Sequence, residues 1–507
     1  MNNLIRSDFN SLNNFPNSFL NSSSKRINNI HFVGIGGSGM SGIAEVLHNL
    51  GFKVTGTDLV KNEAVTRLLS LGIEIRFSHI AENASYCDAI VVSSAVPKDN
   101  IELLVAKKRR IPIIHRAEML AELMRFKYGI AIAGSHGKTT ATSLIATILA
   151  EADQDPTFVV GGKLNKFSSH AKLGGGQFFV SEADESDGSF LHLNPLLAVV
   201  TNIDNDHLSN YGGDFNNLKK AFLEFLHRLP FYGLAVVCRD DPVIAEVIDQ
   251  ISRPLLTYGF SEEADIRAIN YKQQYNVSKF KVLLPMESQP RNIILNLPGK
   301  HNVLNALAAI AVGLELKIKF NLIAKTLMNF HGIGRRFQIY GKFVININNN
   351  NNTNINKFLL LDDYGHHPKE IQAVINAVKE GWPKRRLILV FQPHRYTRTQ
   401  QLFNEFVSVL ATANHVVLLD IYSAGEEPIE NISSNRICHE IINNYKSTSA
   451  FYIQSKSLIS VEDDLLNHLT TIIEDQDIVL MQGAGDIGKL ITKLVNKLQI
   501  CEDIEIC

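Results

Sequence analysis

Ile130-Ala131-Ile132-Ala133, followed by Gly134-Ser135-His136-Gly137-Lys138-Thr139-Thr140, is the stretch on which the reading of this chain turns. The short apolar run has the length and character of a buried strand, and the residues from Thr139 to Glu151 carry a helical pattern. Between them, successive backbone N–H groups of a glycine-rich turn at a helix N-terminus form an anion cradle, to which the helix dipole adds. In such a loop Lys138 reaches the outer phosphates of a nucleotide, and the hydroxyl of Thr139 or Thr140 ligates Mg²⁺. The pattern is a shortened variant. The full G-x-x-x-x-G-K-[ST] motif requires glycine at position 132, where this chain has Ile132.

The same grammar occurs twice more. Ile30–Val33 precedes Gly34-Ile35-Gly36-Gly37-Ser38-Gly39 and a helical run through Leu50. Ile478–Met481 precedes Gln482-Gly483-Ala484-Gly485-Asp486-Ile487-Gly488 and a helical run to about Leu498. Strand–turn–helix units repeated in this way predict parallel α/β sheets. Their spacing predicts three α/β domains with parallel sheets, over 27–128, 129–335 and 336–507. Residues 1–26, rich in Asn and Ser, contain no apolar core like that of a signal peptide and read as a disordered extension. The nearly pure Asn tract at 346–356 lies between the apolar runs Gly341–Ile347 and Phe358–Leu361. It reads as a hairpin-tip insertion without a role, too poor in apolar surface to offset its own ordering.

Composition removes several classes of function. In 507 residues, 45% are hydrophobic and 20% charged, as in ordinary globular domains, and the formal net charge is -1. That balance leaves no global basic field to hold nucleic acid. The longest apolar stretches, such as Ala306–Val312, are too short to span a bilayer. Five scattered cysteines without a C-x-x-C pair argue against a disulfide framework or a zinc knuckle and fit a reducing, cytoplasmic setting. Oligomeric state is not encoded in any motif.

The first glycine loop matches the G-x-G-x-x-G fingerprint, with Asp58 following at the end of a second strand. Alone it suggests NAD; physically, it shows that a diphosphate can sit at that helix terminus. Glu182-Ala183-Asp184-Glu185-Ser186-Asp187 closes the apolar run Phe178–Val180, and Asp204-Asn205-Asp206-His207 follows Leu197–Ile203. Acids at strand ends near a phosphate loop point to a hard cation, with Glu182 and His207 as candidate metal ligands. Asn302 and Asn305, at the start of an Ala-rich helix, share one face and either read a polar ring or cap the helix. Gly334-Arg335-Arg336-Phe337 supplies a guanidinium fork. Asp362-Asp363-Tyr364-Gly365-His366-His367-Pro368 has a metal-site look, but it is joined by Phe391–Arg398, a basic cluster better suited to an anionic substrate.

In order, these motifs (GxGGxGM, GxHGKTT, EADESD, TNIxxDH, PGxHNxxN, GRRF, DDYGHHP and FQPHRYTRT) resemble the Mur ligases, and within them the alanine-adding branch. The resemblance runs from about Ile30 to about Leu498. It implies a Rossmann-like UDP-sugar domain (27–128), a central P-loop ATPase domain with a parallel sheet (129–335) and a Rossmann-like C-terminal domain (336–507) that closes on it. The substrates implied are ATP with Mg²⁺, UDP-N-acetylmuramate and L-alanine, in cytoplasmic synthesis of peptidoglycan precursors. It places Gly36, Gly37, Ser38 and Gly39 on the UDP diphosphate, with Asp58 and His79 around the nucleotide. Gly134, Ser135, His136, Gly137, Lys138, Thr139 and Thr140 fall on the ATP phosphates, and Thr139, Glu182 and His207 on the metal. Asn302 and Asn305 fall on the adenine side. Arg336 and Asp363 face ATP; Tyr364, His366, Arg395 and Arg398 face the carboxylate and the amino acid. Ser135 replaces the family's commoner Thr and keeps a hydroxyl.

Three rivals compete. A murein-tripeptide recycling ligase would share the ATP site and differ in its acceptor. An NAD-dependent oxidoreductase would use the first glycine loop and leave the lysine loop idle. A nucleotide-switched binding protein would hydrolyse ATP slowly, without dependence on an amine.

Overall fold

Each of the three apolar runs is a strand that ends at its glycines: Asn29–Val33, Tyr128–Ala133 and Ile478–Gln482. The computed structural model describes residues 27–501 apart from Ser38, Ser94, Phe126, residues 165–168, Met286, Asn350, Asn351 and residues 455–457. The expected N-terminal extension and Ser38 therefore lie outside the described residues. The chain packs as two units. The first runs to Gly161 and resumes over Ser169–Thr257; the second takes Gly162–Ser168 and everything from Tyr258.

In the first unit, β1 (Asn29–Val33), β2 (Lys53–Thr57), β3 (Glu74–Arg76), β4 (Ala89–Val92) and β5 (Ile113–His115) form an all-parallel sheet in the order β3-β2-β1-β4-β5. Strand order reverses between β1 and β4, and ligands of such sheets bind at that switch point, beyond the carboxyl ends of the strands. Helix α1 (Met40–Asn49) starts there, at Gly39.

The same unit holds β6 (Tyr128–Ala133), β7 (Thr157–Leu164) as far as Gly161, β8 (Ser169–Lys172), β9 (Phe178–Glu182), β10 (Leu197–Val200) and β11 (Leu234–Cys238). They lie in the order β11-β10-β6-β9-β7-β8, with β6 parallel to both β9 and β10. Strand β6 is buried from Gly129 to Ala133, which explains why it reads as an unbroken apolar run. Helix α2 (Lys138–Glu151) follows it and is buried from Thr139 to Leu149. The loops after β6, β9 and β10 leave the sheet at one edge.

The second unit begins within β12 (Leu255–Gly259). It continues through β13 (Ile266–Gln274), β14 (Val277–Leu283) and β15 (Arg291–Leu295), the last three an antiparallel meander, to α3 (Lys300–Glu315). A second sheet comprises β16 (Gln338–Asn349), β17 (Asn352–Asp363), β18 (Leu387–Phe391), β19 (His415–Leu419), β20 (Ser449–Ile453), β21 (Ile478–Gln482) and β22 (Gln499–Ile500), in the order β20-β19-β18-β21-β17-β16-β22. Strands β20, β19, β18, β21 and β17 are parallel, β16 is antiparallel to β17, and β22 is antiparallel to β16. Alternate residues feed two cores. Leu359, Leu361, Leu389 and Phe391 pack with Ile371 of α4 (Pro368–Gly381), and Phe358, Leu360, Ile388 and Val390 pack with Leu490 of α5 (Ile487–Lys497). A sheet covered on both faces is the expected doubly wound arrangement. The Asn tract lies in the tip of the β16–β17 hairpin, and the ladder continues through it to Asn349 opposite Asn352.

Among the described residues no helix is long and apolar enough to cross a membrane. Cys87, Cys238, Cys438 and Cys501 are unpaired.

Candidate active site

The loop between β6 and α2 is held from the neighbouring strand end. Gly134 adopts φ 131°, and a Cβ there would collide with Thr201 Oγ1, so only glycine fits. Thr201 donates its hydroxyl to the His136 carbonyl at 2.6 Å. Asn202 exchanges two bonds with His136, accepting its N–H at 2.8 Å and donating to its carbonyl at 3.0 Å. Ser135 Oγ accepts the Asp204 N–H, and the His136 imidazole meets the Asp204 carboxylate at 3.0 Å. Gly137 caps α2 in the left-handed conformation. Thr139 and Thr140 open the helix, nearly buried. This fixes seven successive loop residues, Gly134 to Thr140, as a preformed turn.

Lys138 folds back over the turn. Its ammonium donates to the Gly134 carbonyl at 2.6 Å and to both oxygens of Glu185, at 2.8 and 2.7 Å. Burial opposes the charge, but the carboxylates of Glu185, Asp184 and Glu182 outweigh it and raise the lysine pKa. The acidic segment after β9 thus surrounds the loop lysine. Glu182 ends β9 and accepts the Gly161 N–H at 2.7 Å. Tyr211 anchors the segment by donating its hydroxyl to the Glu185 carbonyl. His207 stands on a left-handed turn beyond β10, its imidazole 3.4 Å from Asp206. The motif reading named Glu182 but not Glu185, Thr201, Asn202 or Asp204 as the groups that hold the lysine and its loop. All lie in motifs already visible; which acid meets Lys138 is a tertiary fact.

At the edge of the five-stranded sheet, Gly34 and Gly39 have φ of 79° and 77°. Gly36 donates its N–H to Asp58 Oδ2 at 2.8 Å, and Val60 donates to Asp58 Oδ1 at 3.0 Å. Both oxygens of this candidate nucleotide ligand therefore hold the chain's own loop. Gly37 continues the turn, its N–H on the Gly34 carbonyl. A Cβ at Gly39 would approach Arg116 Nη1 to 3.2 Å, so a guanidinium lies against the start of α1. Arg116 also donates to Asp184 at 3.0 Å, next in sequence to the partner of Lys138. The motif reading missed this arginine, because no glycine pattern announces it. His79, past the end of β3, meets the buried carboxylate of Glu102 through Nδ1 at 3.1 Å.

In the second unit, Asn302 and Asn305 are buried on one face of the first turns of α3. Asn302 donates to the Pro298 carbonyl at 2.7 Å, and Asn305 donates to Asn302 Oδ1 at 3.4 Å. The two arginines of the fork both lie against the Tyr364 ring but differ in their other partners. Arg335, at φ 59°, donates to Asp362 at 3.2 Å and to the Gly483 carbonyl at 2.6 Å, in space that a side chain at Gly488 would fill. Arg336 lies with its guanidinium 5.0 Å from the Tyr364 ring centroid. Asp363 is buried and accepts from Phe337 N at 2.9 Å, Gly365 N at 2.7 Å and Gln482 Nε2 at 3.1 Å, pinning two motifs together. Burial raises its pKa, against the pull of Arg336.

Tyr364, His366, His394 and Tyr422 form a chain of ring contacts 5.4–5.6 Å apart. Burial, aided by the nearby charge of Arg398, lowers His366 to about 3 and His394 to about 4, so both imidazoles are neutral at pH 7. Arg395 caps the following helix at φ 72°, and Arg398 is buried one turn on. The motif reading grouped Tyr364, His366, Arg395 and Arg398, and the structure brings the two histidine-bearing segments together.

Comparison with known proteins agrees with this organisation. The chain matches the Mur ligase family catalytic domain over residues 29–128, the Mur ligase middle domain over 132–313 and the Mur ligase glutamate ligase domain over 349–485. A UDP-N-acetylmuramate–alanine ligase from Thermotoga maritima superposes with a TM-score of 0.76 at 28% identity, covering 92% of this chain and 98% of that one. A murein peptide ligase from Psychrobacter arcticus shares the fold at 22% identity, with a TM-score of 0.67 and coverage of 92% and 98%. The MurF ligase of Thermotoga maritima, solved in complex with ADP, shares it at 17% identity, with a TM-score of 0.57 and coverage of 88% and 94%. With three successive domain matches and a lysine-bearing phosphate loop ringed by carboxylates, the chain belongs to the Mur ligase family of ATP-dependent, amide-bond-forming ligases.

Proposed function

We propose that this ligase joins L-alanine to the carboxylate of UDP-N-acetylmuramate, producing ADP and phosphate. The similarity that runs nearly end to end with the alanine-adding ligase carries this reading. The Tyr364–His366 and His394–Arg398 segments, through which the motif resemblance points to that branch, support it.

A carboxylate is a poor acyl donor. One of its oxygens attacks the γ-phosphorus of ATP, the bond to the β-phosphate oxygen breaks, and an acyl phosphate forms with ADP as leaving group. The amine of L-alanine then attacks the acyl carbon and loses a proton, and phosphate departs with the original carboxylate oxygen. The protein's part is positioning and neutralisation of charge. Gly134–Thr140 cradle the ATP phosphates, and Lys138 exchanges Glu185 for the phosphoryl oxygens. Arg336 adds a second cation, Asn302 and Asn305 hold the adenine, and Asp363 fixes the Arg336 segment. Gly36, Gly37, Ser38 and Gly39 take the UDP diphosphate, with Asp58 holding the loop and His79 beside the nucleoside. Tyr364, His366, Arg395 and Arg398 receive the carboxylate and the amino acid. Magnesium, when bound, neutralises phosphate charge. The carboxylate of Glu182 and the hydroxyl of Thr139 are the hard oxygen donors it prefers, and His207 completes the set.

A murein-peptide ligase is the second reading, favoured by the shared fold of the Psychrobacter enzyme. Phosphate release in the presence of UDP-N-acetylmuramate and, separately, L-alanine, glycine, L-serine or a murein tripeptide decides between them. Release that requires L-alanine supports the proposal; release only with the tripeptide overturns it.

A further inference from the structure

The core of the five-stranded sheet contains a carboxylate that the reaction does not use. Glu102 lies in the first turn of the helix Ile101–Arg109 and is 0% exposed. Burial would raise its pKa, yet hydrogen bonds from His31 and Asn83 hold it below the usual range, so it is ionised. Four donors saturate it. His31 Nε2 at 3.1 Å and Thr57 Oγ1 at 2.9 Å meet one oxygen; His79 Nδ1 at 3.1 Å and Asn83 Nδ2 at 2.9 Å meet the other. Replacing such a buried constellation by apolar side chains is often neutral or stabilising, so stability alone does not account for it.

The arrangement determines proton positions. An ionised carboxylate only accepts, so each imidazole must present N–H to it. His31 then carries its proton on Nε2, and its Nδ1 accepts from the Thr55 hydroxyl at 2.8 Å. The Asn83 amide is oriented independently, because Arg76 donates to its Oδ1 at 2.9 Å and its Nδ2 donates to the Ser78 carbonyl at 2.8 Å. His79 therefore carries its proton on Nδ1. Its Nε2 has no partner among the described residues, and its side chain is 21% exposed, in contrast to the buried His31. The network also reaches the glycine loop: the Thr57 carbonyl accepts the N–H groups of Gly34 and Ile35 at 2.8 and 3.0 Å.

We infer that Glu102 is a positioning residue of the UDP-sugar site, which locks His79 in the Nδ1–H tautomer and presents Nε2 as a hydrogen-bond acceptor to the nucleoside end of the substrate. This rests on reading that sheet edge as the UDP-sugar site. In Glu102→Gln the oriented Asn83 amide keeps the remaining carbonyl oxygen on the side it shares with His79, so His79 keeps its tautomer and the NH₂ faces His31 and Thr57. In Glu102→Leu no acceptor remains, and nothing holds the His79 proton on Nδ1.

Nitrogen-15 spectra of the histidines in the full-length protein, with UDP as probe, test the inference. The wild type is expected to show His79 protonated at Nδ1; protonation at Nε2 overturns the proposal without any variant. UDP is expected to move the His79 resonances. If it does not, the site reading falls together with the proposal; if it does, only the role of Glu102 remains at issue. Glu102→Gln is expected to leave the KM for UDP-N-acetylmuramate within about twofold, and Glu102→Leu to raise it about tenfold with kcat within about twofold, the size of one lost hydrogen bond in a buried setting. In a His79→Ala background Glu102→Leu is expected to add nothing. An equal effect in both backgrounds makes Glu102 merely structural and overturns the proposal.

Discussion

Lys138 holds its own loop together and, in the proposed reaction, also serves the chemistry. Its ammonium is bound to the Glu185 carboxylate, whose side chain is 4% exposed, so removing the lysine leaves a buried charge without its counter-ion. Lys138→Ala should therefore cost about 3 kcal/mol of stability in addition to abolishing turnover by about 10³-fold or more. Lys138→Ala combined with Glu185→Ala should recover much of the melting temperature and none of the activity. Denaturation and phosphate-release measurements on the pair check this; activity within tenfold of wild type would sink the phosphate-loop assignment. A second residue-scale consequence concerns protons. Burial depresses His301 to about 4, as it depresses His366 to about 3 and His394 to about 4. An imidazole with an unfolded pKa of about 6.5 and a lower folded value binds fewer protons when folded. The stability linked to its neutral form is complete above about pH 6.5 and is lost as pH falls toward 4. Urea unfolding between pH 7.5 and 5 should show falling stability, and His301→Gln should flatten the slope. An unchanged slope would mean that His301 is not buried neutral.

At the scale of the element, what could be read in advance was local. Gly34, Gly39, Gly134 and Gly137 sit at positive φ between a strand and a helix, so the turn demands glycine and the residue reveals the turn. The alternation of Asn302 and Asn305 on one helical face was legible for the same reason. Partners far apart in sequence were not. Glu185 reaches Lys138 because parallel strands bring distant loops to one edge, and Glu102, on a helix, reaches His31 within β1 and His79 past β3 only through the packing of the fold. The motif resemblance turns Arg336 alone toward ATP and gives Arg335 no role; packing at Gly488 commits Arg335 to Asp362 and Gly483. The Asn tract illustrates the reverse case. Low apolar content pointed to a passive hairpin tip, and the tract does occupy the tip, but as a continued ladder. Ile345 lies directly opposite Asn356, so residues 346–355 can be replaced by Asn-Gly, a two-residue turn suited to strand twist. The shortened protein should keep ligase activity within about twofold and its melting temperature within a few degrees. A tenfold loss of activity would give the tract a function.

Over the whole molecule, the proposed chemistry is shared out among motifs on two units. The first carries the glycine loops after β1 and β6 and the acidic segment, and the second carries the buried amide pair and the Tyr364–Arg398 cluster. The proposed reaction uses them in one sequence, and that sequence leaves an atomic record. If ATP phosphorylates the substrate carboxylate, the amine displaces a phosphate that retains one carboxylate oxygen. UDP-N-acetylmuramate labelled with ¹⁸O in its carboxylate should then yield inorganic phosphate with one labelled oxygen per amide formed. A nucleotide-switched ATPase would take that oxygen from water, and an oxidoreductase using the first glycine loop would release no phosphate. Mass analysis of phosphate from a single turnover reads the outcome directly. If Lys138 and the Gly134–Thr140 loop act on ATP as proposed, Lys138→Ala should lower the yield of phosphate without changing its labelling. Unlabelled phosphate alongside amide product would overturn the acyl-phosphate route and leave the substrate pairing to be explained by another chemistry.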